Sequence, residues 1–142
     1  MSISARNRFP GTVSAVETGP IHAKVELTLA GGDKIVAVVT QESVKNLGLV
    51  VGKKAFVFVK APWVMLLSAD EKMRFSARNR LTGTVDAVVK GAVNSEVTLK
   101  LKGGESVYAI ITNDAVAEMG LKPGVPASAL FKASHLILGV AD

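Results

Sequence analysis

The chain has 142 residues, 49% of them hydrophobic, no cysteine and a formal charge of +5. The missing cysteines exclude a disulfide-stapled domain and fit a reducing compartment, and two histidines are too few for an ordinary metal centre. No apolar run approaches the ~18–20 residues of a membrane span. The start Met1-Ser2-Ile3-Ser4-Ala5-Arg6 also lacks an apolar signal core, so a cytoplasmic location and no membrane partner are expected. Mean hydropathy is +0.36, apolar enough to expect contact with other subunits. The positive charge favours anionic partners without choosing one.

In chain order, Val13 and Ala15, then Val25, Leu27 and Leu29, then Ile35, Ala37 and Val39 alternate with polar or small residues. A two-residue period predicts strands. Gly19-Pro20 reads as one turn, and Gly31-Gly32-Asp33 as a hairpin turn. Thr40 is a good N-cap for a short helix, Glu42 favours its first turn, and Gly48 closes it. Ala55–Val59 and Val64–Leu67 are two more strands, interrupted at Ala61-Pro62.

The same order then recurs. A slide of 72 residues places Ser4-Ala5-Arg6-Asn7-Arg8 on Ser76-Ala77-Arg78-Asn79-Arg80, and Gly31-Gly32 on Gly103-Gly104. It also places Thr40 on Thr112 and Lys60-Ala61 on Lys132-Ala133. About 29 of 70 aligned pairs are identical without a gap, which marks an internal duplication. The expected organisation is one domain over residues 1–69, a polar linker at 70–74, and a second domain over 75–142. Each copy reads β-β-β-α-β-β, the order of an OB-type five-stranded barrel with one short helix. The fold class is therefore all-β, with two such barrels in tandem.

Chemistry can be screened by asking what both copies carry. His22 falls on Asn94 and His135 on Trp63, so no histidine is duplicated, and no bare-cation site is expected. The aligned acids Asp33/Glu105, Glu42/Asp114 and Asp70/Asp142 lie in a turn, at a helix start and after the last strand. Those are ordinary structural places. Ser4/Ser76 has no shared base, so nucleophilic catalysis fails and no enzyme is expected. What is shared is a set of donors. Arg6/Arg78 offers a guanidinium fork and Ser4/Ser76 a hydroxyl two residues earlier, on the same face if the strand is regular. Lys60/Lys132 adds an ammonium and Ala61/Ala133 an accessible backbone N–H. Thr40/Thr112 adds a hydroxyl at a helix start. Asn7/Asn79 completes the shared Ser-Ala-Arg-Asn motif and has two readings, part of the oxyanion motif or a structural residue bonding a neighbouring backbone. A donor-only pocket suits an acceptor-only dianion such as molybdate, tungstate or sulfate. A protonated phosphate would face donor against donor, at a cost of about 1–3 kcal/mol if buried.

The segments Ser2-Ile3-Ser4-Ala5-Arg6-Asn7 with Gly11 and Val13, Thr40 with Ser43-Val44, and Val59-Lys60-Ala61 resemble the molbindin family. That family comprises cytoplasmic molybdate-binding proteins built from Mop domains, a subset of the OB fold. The resemblance covers nearly the whole chain as a di-Mop pair. It implies molybdate or tungstate as bound ligand, a homotrimer, and several oxyanions per oligomer at sites between subunits, for molybdenum storage or homeostasis. The implied sites use Ser4, Ala5, Arg6, Lys60 and Ala61 with Thr40 and Ser43, and Ser76, Ala77, Arg78, Lys132 and Ala133 with Thr112. Ser43 falls on Ala115, so one donor is missing from the second copy. Further sites on a three-fold axis are expected at the turns Gly19, Pro20, Ile21, His22 and Gly91, Ala92, Val93, Asn94. Related Mop pairs form the sensing part of a transcription regulator. No helix-turn-helix precedes the pair here, and no nucleic-acid partner is expected.

Two alternatives stay open. An OB fold with a basic surface also suits single-stranded nucleic acid, although such binders need stacking aromatics and aromatics are only 5% here. A purely structural oligomerisation module would assemble without any ion.

Overall fold

A computed structural model of the chain describes residues 2–141. The strands are β1 (Asn7–Thr18), β2 (His22–Leu29), β3 (Lys34–Thr40), β4 (Lys54–Val59) and β5 (Met65–Ser68), then β6 (Asn79–Lys90), β7 (Asn94–Lys100), β8 (Ser106–Thr112), β9 (Pro126–Phe131) and β10 (Ile137–Gly139). Helices α1 (Gln41–Leu47) and α2 (Asn113–Met119) follow β3 and β8. The elements arise where the side-chain pattern requires them. Along β2 every second residue is buried, from Ala23 to Leu29, so one face meets the core. Thr40 and Thr112 cap their helices by accepting the N–H of Ser43 and Ala115, each at 3.1 Å. Gly48 and Gly120 end them in the left-handed conformation, φ 64° and 60°.

The all-β class and the two five-stranded sheets are as the periodicity implies, but the strands are shared between the copies. One sheet runs β10-β4-β1-β2-β3 and the other β5-β9-β6-β7-β8. The last strand of each copy therefore completes the sheet of the other. Met65 pairs with Leu130, and its equivalent Ile137 pairs with Phe58. Ala61–Trp63 and Ala133–His135, expected only as interruptions, form single 3-10 turns that redirect the chain toward the other copy. The buried side chains of both copies form one cluster. A unit of about 70 residues is marginal alone, and the exchange joins two marginal cores into one.

Long strands β1 and β6 each serve two neighbours. Residues 7–12 pair with β4 and residues 11–18 with β2. A register shift at Ser14, and another at Asp86, lets each strand bend between its partners. Core volume is balanced across these pairs. Phe9 and Val59 are buried in the first half, whereas Leu81 and Phe131 fill the equivalent places in the second.

Two contacts lock the halves together. Asn7 and Asn79, both buried, reach into the other copy. Asn7 accepts the Tyr108 N–H at 2.7 Å and donates to the Tyr108 carbonyl at 2.8 Å. Asn79 treats Val36, the equivalent residue, in the same way at 2.7 and 2.8 Å. Since β3 and β8 are sheet edges, each amide satisfies one edge residue as a neighbouring strand would. The structural reading of these asparagines matches this geometry. The two hairpin turns also meet back to back. A Cβ built on Gly31 would lie 2.5 Å from the Gly103 Cα, and one on Gly103 would lie 2.6 Å from the Gly31 Cα. Gly32 and Gly104, both at φ 90°, are the turn residues proper, so the first glycine of each pair exists for close approach.

Candidate functional site

The segments bearing the duplicated donors come together at the open end of the β1–β4 and β6–β9 ladders. Asn7 pairs with Val59 and Asn79 with Phe131. The next residues outward are Arg6 and Lys60 in one half, and Arg78 and Lys132 in the other. Ser4, Ala5 and Arg6 precede β1 rather than belonging to it, as do Ser76, Ala77 and Arg78 with β6. The expectation that Ser4 and Arg6 share a strand face therefore fails, because the chain bends at both residues. Ser4, Arg6 and Lys60 are exposed, and so are Ser76, Arg78 and Lys132. Ala61 and Ala133 are buried and open their 3-10 turns, where the first N–H groups have no acceptor within the turn.

Each cation has specific neighbours. Arg6 Nη2 donates to Glu96 Oε1 at 2.8 Å, and its guanidinium lies 4.7 Å from the centre of the Tyr108 ring. Lys60 Nζ sits 5.6 Å from the Trp63 ring. Trp63 in turn packs on its equivalent residue, His135, with ring centres 4.7 Å apart. Packing is thus what Trp63 does, as its unpaired status in the repeat implies. Glu96 is the group that the sequence does not announce. The motif contains no acid, yet the fold brings one to Arg6 from a strand of the other copy. The only sequence signal is the charge inversion of Glu96 against Lys24 at equivalent positions, which has no meaning until the halves are seen to interlock.

Thr40 and Ser43 have different neighbours. They line an open groove with Val38, Val39 and Leu47, together with Leu136, Ile137 and Leu138 of the exchanged strand. Thr40 Oγ1 donates to Ser43 Oγ at 2.9 Å while accepting the Ser43 N–H. The hydroxyl proton left to offer a ligand is then that of Ser43. In the second copy Ala115 replaces Ser43, so Thr112 keeps its own proton for that purpose. The turn Gly19–His22 sits against the start of α1. Gln41 N–H donates to the Ile21 carbonyl at 2.8 Å. The Gln41 amide, turned so that its NH2 faces the turn, reaches the Gly19 and Pro20 carbonyls at 2.9 and 3.1 Å. In the turn Gly91–Asn94, Asn113 holds the Val93 carbonyl through its backbone and Gly91 through its side chain. Ala92 and Asn94 are exposed beside them. Among the described residues there is no cluster of three or more His, Cys, Asp or Glu suited to a cation, and no helix is long and apolar enough to cross a membrane.

Exposed apolar side chains recur at equivalent positions. Ile21 and Val93 are 69% and 70% exposed, and Met65 and Ile137 are exposed at the starts of the exchanged strands. A compact 14.8 kDa monomer exposes about 7,000 Å², whereas this chain exposes 8050 Å².

Comparison with known proteins gives consistent matches. The TOBE domain model matches residues 3–66 and again 76–138. The chain is 45% identical over 140 residues to the molybdenum-pterin-binding protein MopA of Rhodobacter capsulatus, covering 99% of this chain and 53% of that protein. It is 42% identical to the molybdenum transport protein ModE of Azotobacter vinelandii, covering 99% and 52%. The chain thus spans about half the length of these curated relatives. A solved structure of the cytoplasmic molybdate-binding protein ModG, with molybdate bound, superposes with a TM-score of 0.96 at 55% identity, covering 99% of this chain and 100% of that one.

Proposed function

This chain belongs to the TOBE domain family, of which it carries two Mop-type copies in tandem, and from that premise we propose that it binds molybdate or tungstate as a cytoplasmic molybdenum store or buffer. The observation that carries the reading is full-length likeness to a molybdate-bound relative, combined with retention of Ser-Ala-Arg and Lys-Ala in both halves. The arrangement supports a binding protein rather than an enzyme.

The binding sites are inter-subunit. The donors Arg6, Ser4 and Lys60 stand open to solvent on one chain, and an ion held there would stay hydrated. A second surface must close over them for the guanidinium and hydroxyl to replace its water. The exposed apolar pairs Ile21/Val93 and Met65/Ile137 supply surface for such an assembly, and a homotrimer is the form proposed. Two assays test the reading together. Titration calorimetry should give heat with molybdate and tungstate and little with phosphate. Light scattering should give three chains per particle. No heat from molybdate at micromolar protein overturns the proposal.

A further inference from the structure

The two halves present the same motif in opposite electrostatic settings. Arg6 is held by Glu96 at 2.8 Å and lies over the Tyr108 ring. The repeat puts Lys24 where Glu96 stands and Val36 where Tyr108 stands. Strand register agrees, since Lys24 pairs with Val38 as Glu96 pairs with Ile110, the equivalent residue. Asn79 grips Val36 as Asn7 grips Tyr108, so the scaffold around both arginines is the same and the substituents differ. Among the described residues, no carboxylate lies within 4 Å of Arg78. Lys24 is directed to its cross-strand neighbour Glu17 at 3.2 Å.

We propose that Glu96 is an internal anion competing with the incoming oxyanion for Arg6, so that the two motif copies of one chain bind oxyanions unequally and the Arg78 copy fills first. The proposal rests on the functional reading above. A carboxylate and a tetrahedral oxyanion accept from the same N–H groups of a guanidinium. An oxyanion reaching Arg6 must displace Glu96 or share the fork with it, and then leaves two negative groups side by side. An oxyanion reaching Arg78 meets no such rival, since Lys24, at the position equivalent to Glu96, carries no negative charge and is paired with Glu17. The ion pair is partly open, with side-chain exposures of 53% for Arg6 and 27% for Glu96. Competition of this kind is modest, about two- to fivefold in affinity.

Equilibrium dialysis of the intact protein against molybdate tests the idea. The wild-type chain should show two affinity classes. Glu96→Gln keeps the shape and removes the charge, so it should tighten the weaker class by about two- to fivefold and leave the stronger class unchanged. Lys24→Glu installs the rival beside Arg78 and should weaken the stronger class by a similar factor. It also provides the readout if the first variant fails to fold. Wild-type binding with both affinities unmoved by either substitution overturns the inference alone. A wild-type chain that binds no molybdate overturns the functional reading and this inference with it.

Discussion

Replacing Asn79 by alanine tests the interlock most directly. The side chain satisfies both the N–H and the carbonyl of Val36, at 2.7 and 2.8 Å, on an edge strand of the other copy. Each such bond is worth about 0.5–1.5 kcal/mol net, and an abandoned buried partner costs about 1–3 kcal/mol. Val36 is only half-buried, so water can partly replace the amide. The expected loss is then about 2–4 kcal/mol, the lower part of the combined range. Against a typical total of about 5–15 kcal/mol this is a large fraction. In urea, with a slope of about 2 kcal/mol/M, the midpoint should fall by about 1–2 M with the slope unchanged. Protein concentration must be held fixed, because assembly would shift the midpoint. Asn79→Asp should lose at least as much, since it keeps an acceptor for the Val36 N–H but turns a second oxygen toward the Val36 carbonyl. Hydrogen exchange at the Val36 amide should accelerate in both variants. A loss below about 0.5 kcal/mol for Asn79→Ala would refute the reasoning, and would mean that packing alone holds the halves together.

Three other outcomes are expected. Phe131→Val, which puts into the second half the residue found at Val59, removes a fully buried ring, and Leu81 is smaller than its equivalent Phe9 and does not make up the volume. It should cost about 2–4 kcal/mol in the same unfolding assay. Gly31→Ala forces a methyl group against the Gly103 backbone and should cost about 1–3 kcal/mol, whereas Gly32→Ala, with open space around it, should be limited by its positive φ alone. Arg6→Ala combined with Arg78→Ala should reduce the number of molybdate ions bound per chain in calorimetry. An unchanged count would move the sites elsewhere.

The strands, turns and helix caps were legible because they rest on local chemistry. Alternation along Val25–Leu29 and the pairing of Thr40 with Gly48 each declare an element within a few residues. The exchange was not legible. Met65-Leu66-Leu67 and Ile137-Leu138-Gly139 are both short apolar strands, and either could pair with β4 or β9. Nothing local distinguishes a return to the same sheet from a crossing to the other. The site was legible as a set of donor types but not as a set of neighbours. Ser4 and Arg6 were placed on a strand that begins one residue later, because the buried Asn7, not the arginine, is the first residue to join the ladder. Glu96 was invisible for a related reason. Its partner lies 90 residues away on the other copy, and only an interlocked pair of sheets brings them into contact.

The crossing of the last strands also sets an order of events during synthesis. The β4 edge of the first sheet leaves the ribosome with Val59, but the strand that covers it begins at Ile137. At about 5–20 residues per second, the intervening stretch of about 80 residues takes about 4–16 s to make. For that interval the first half has four of its five strands and an open edge that can recruit the wrong chain. The nascent protein can close its first barrel only once Ile137–Gly139 has been made. A ribosome that stalls before β10, or a truncation that removes it, therefore damages the first copy as much as the second.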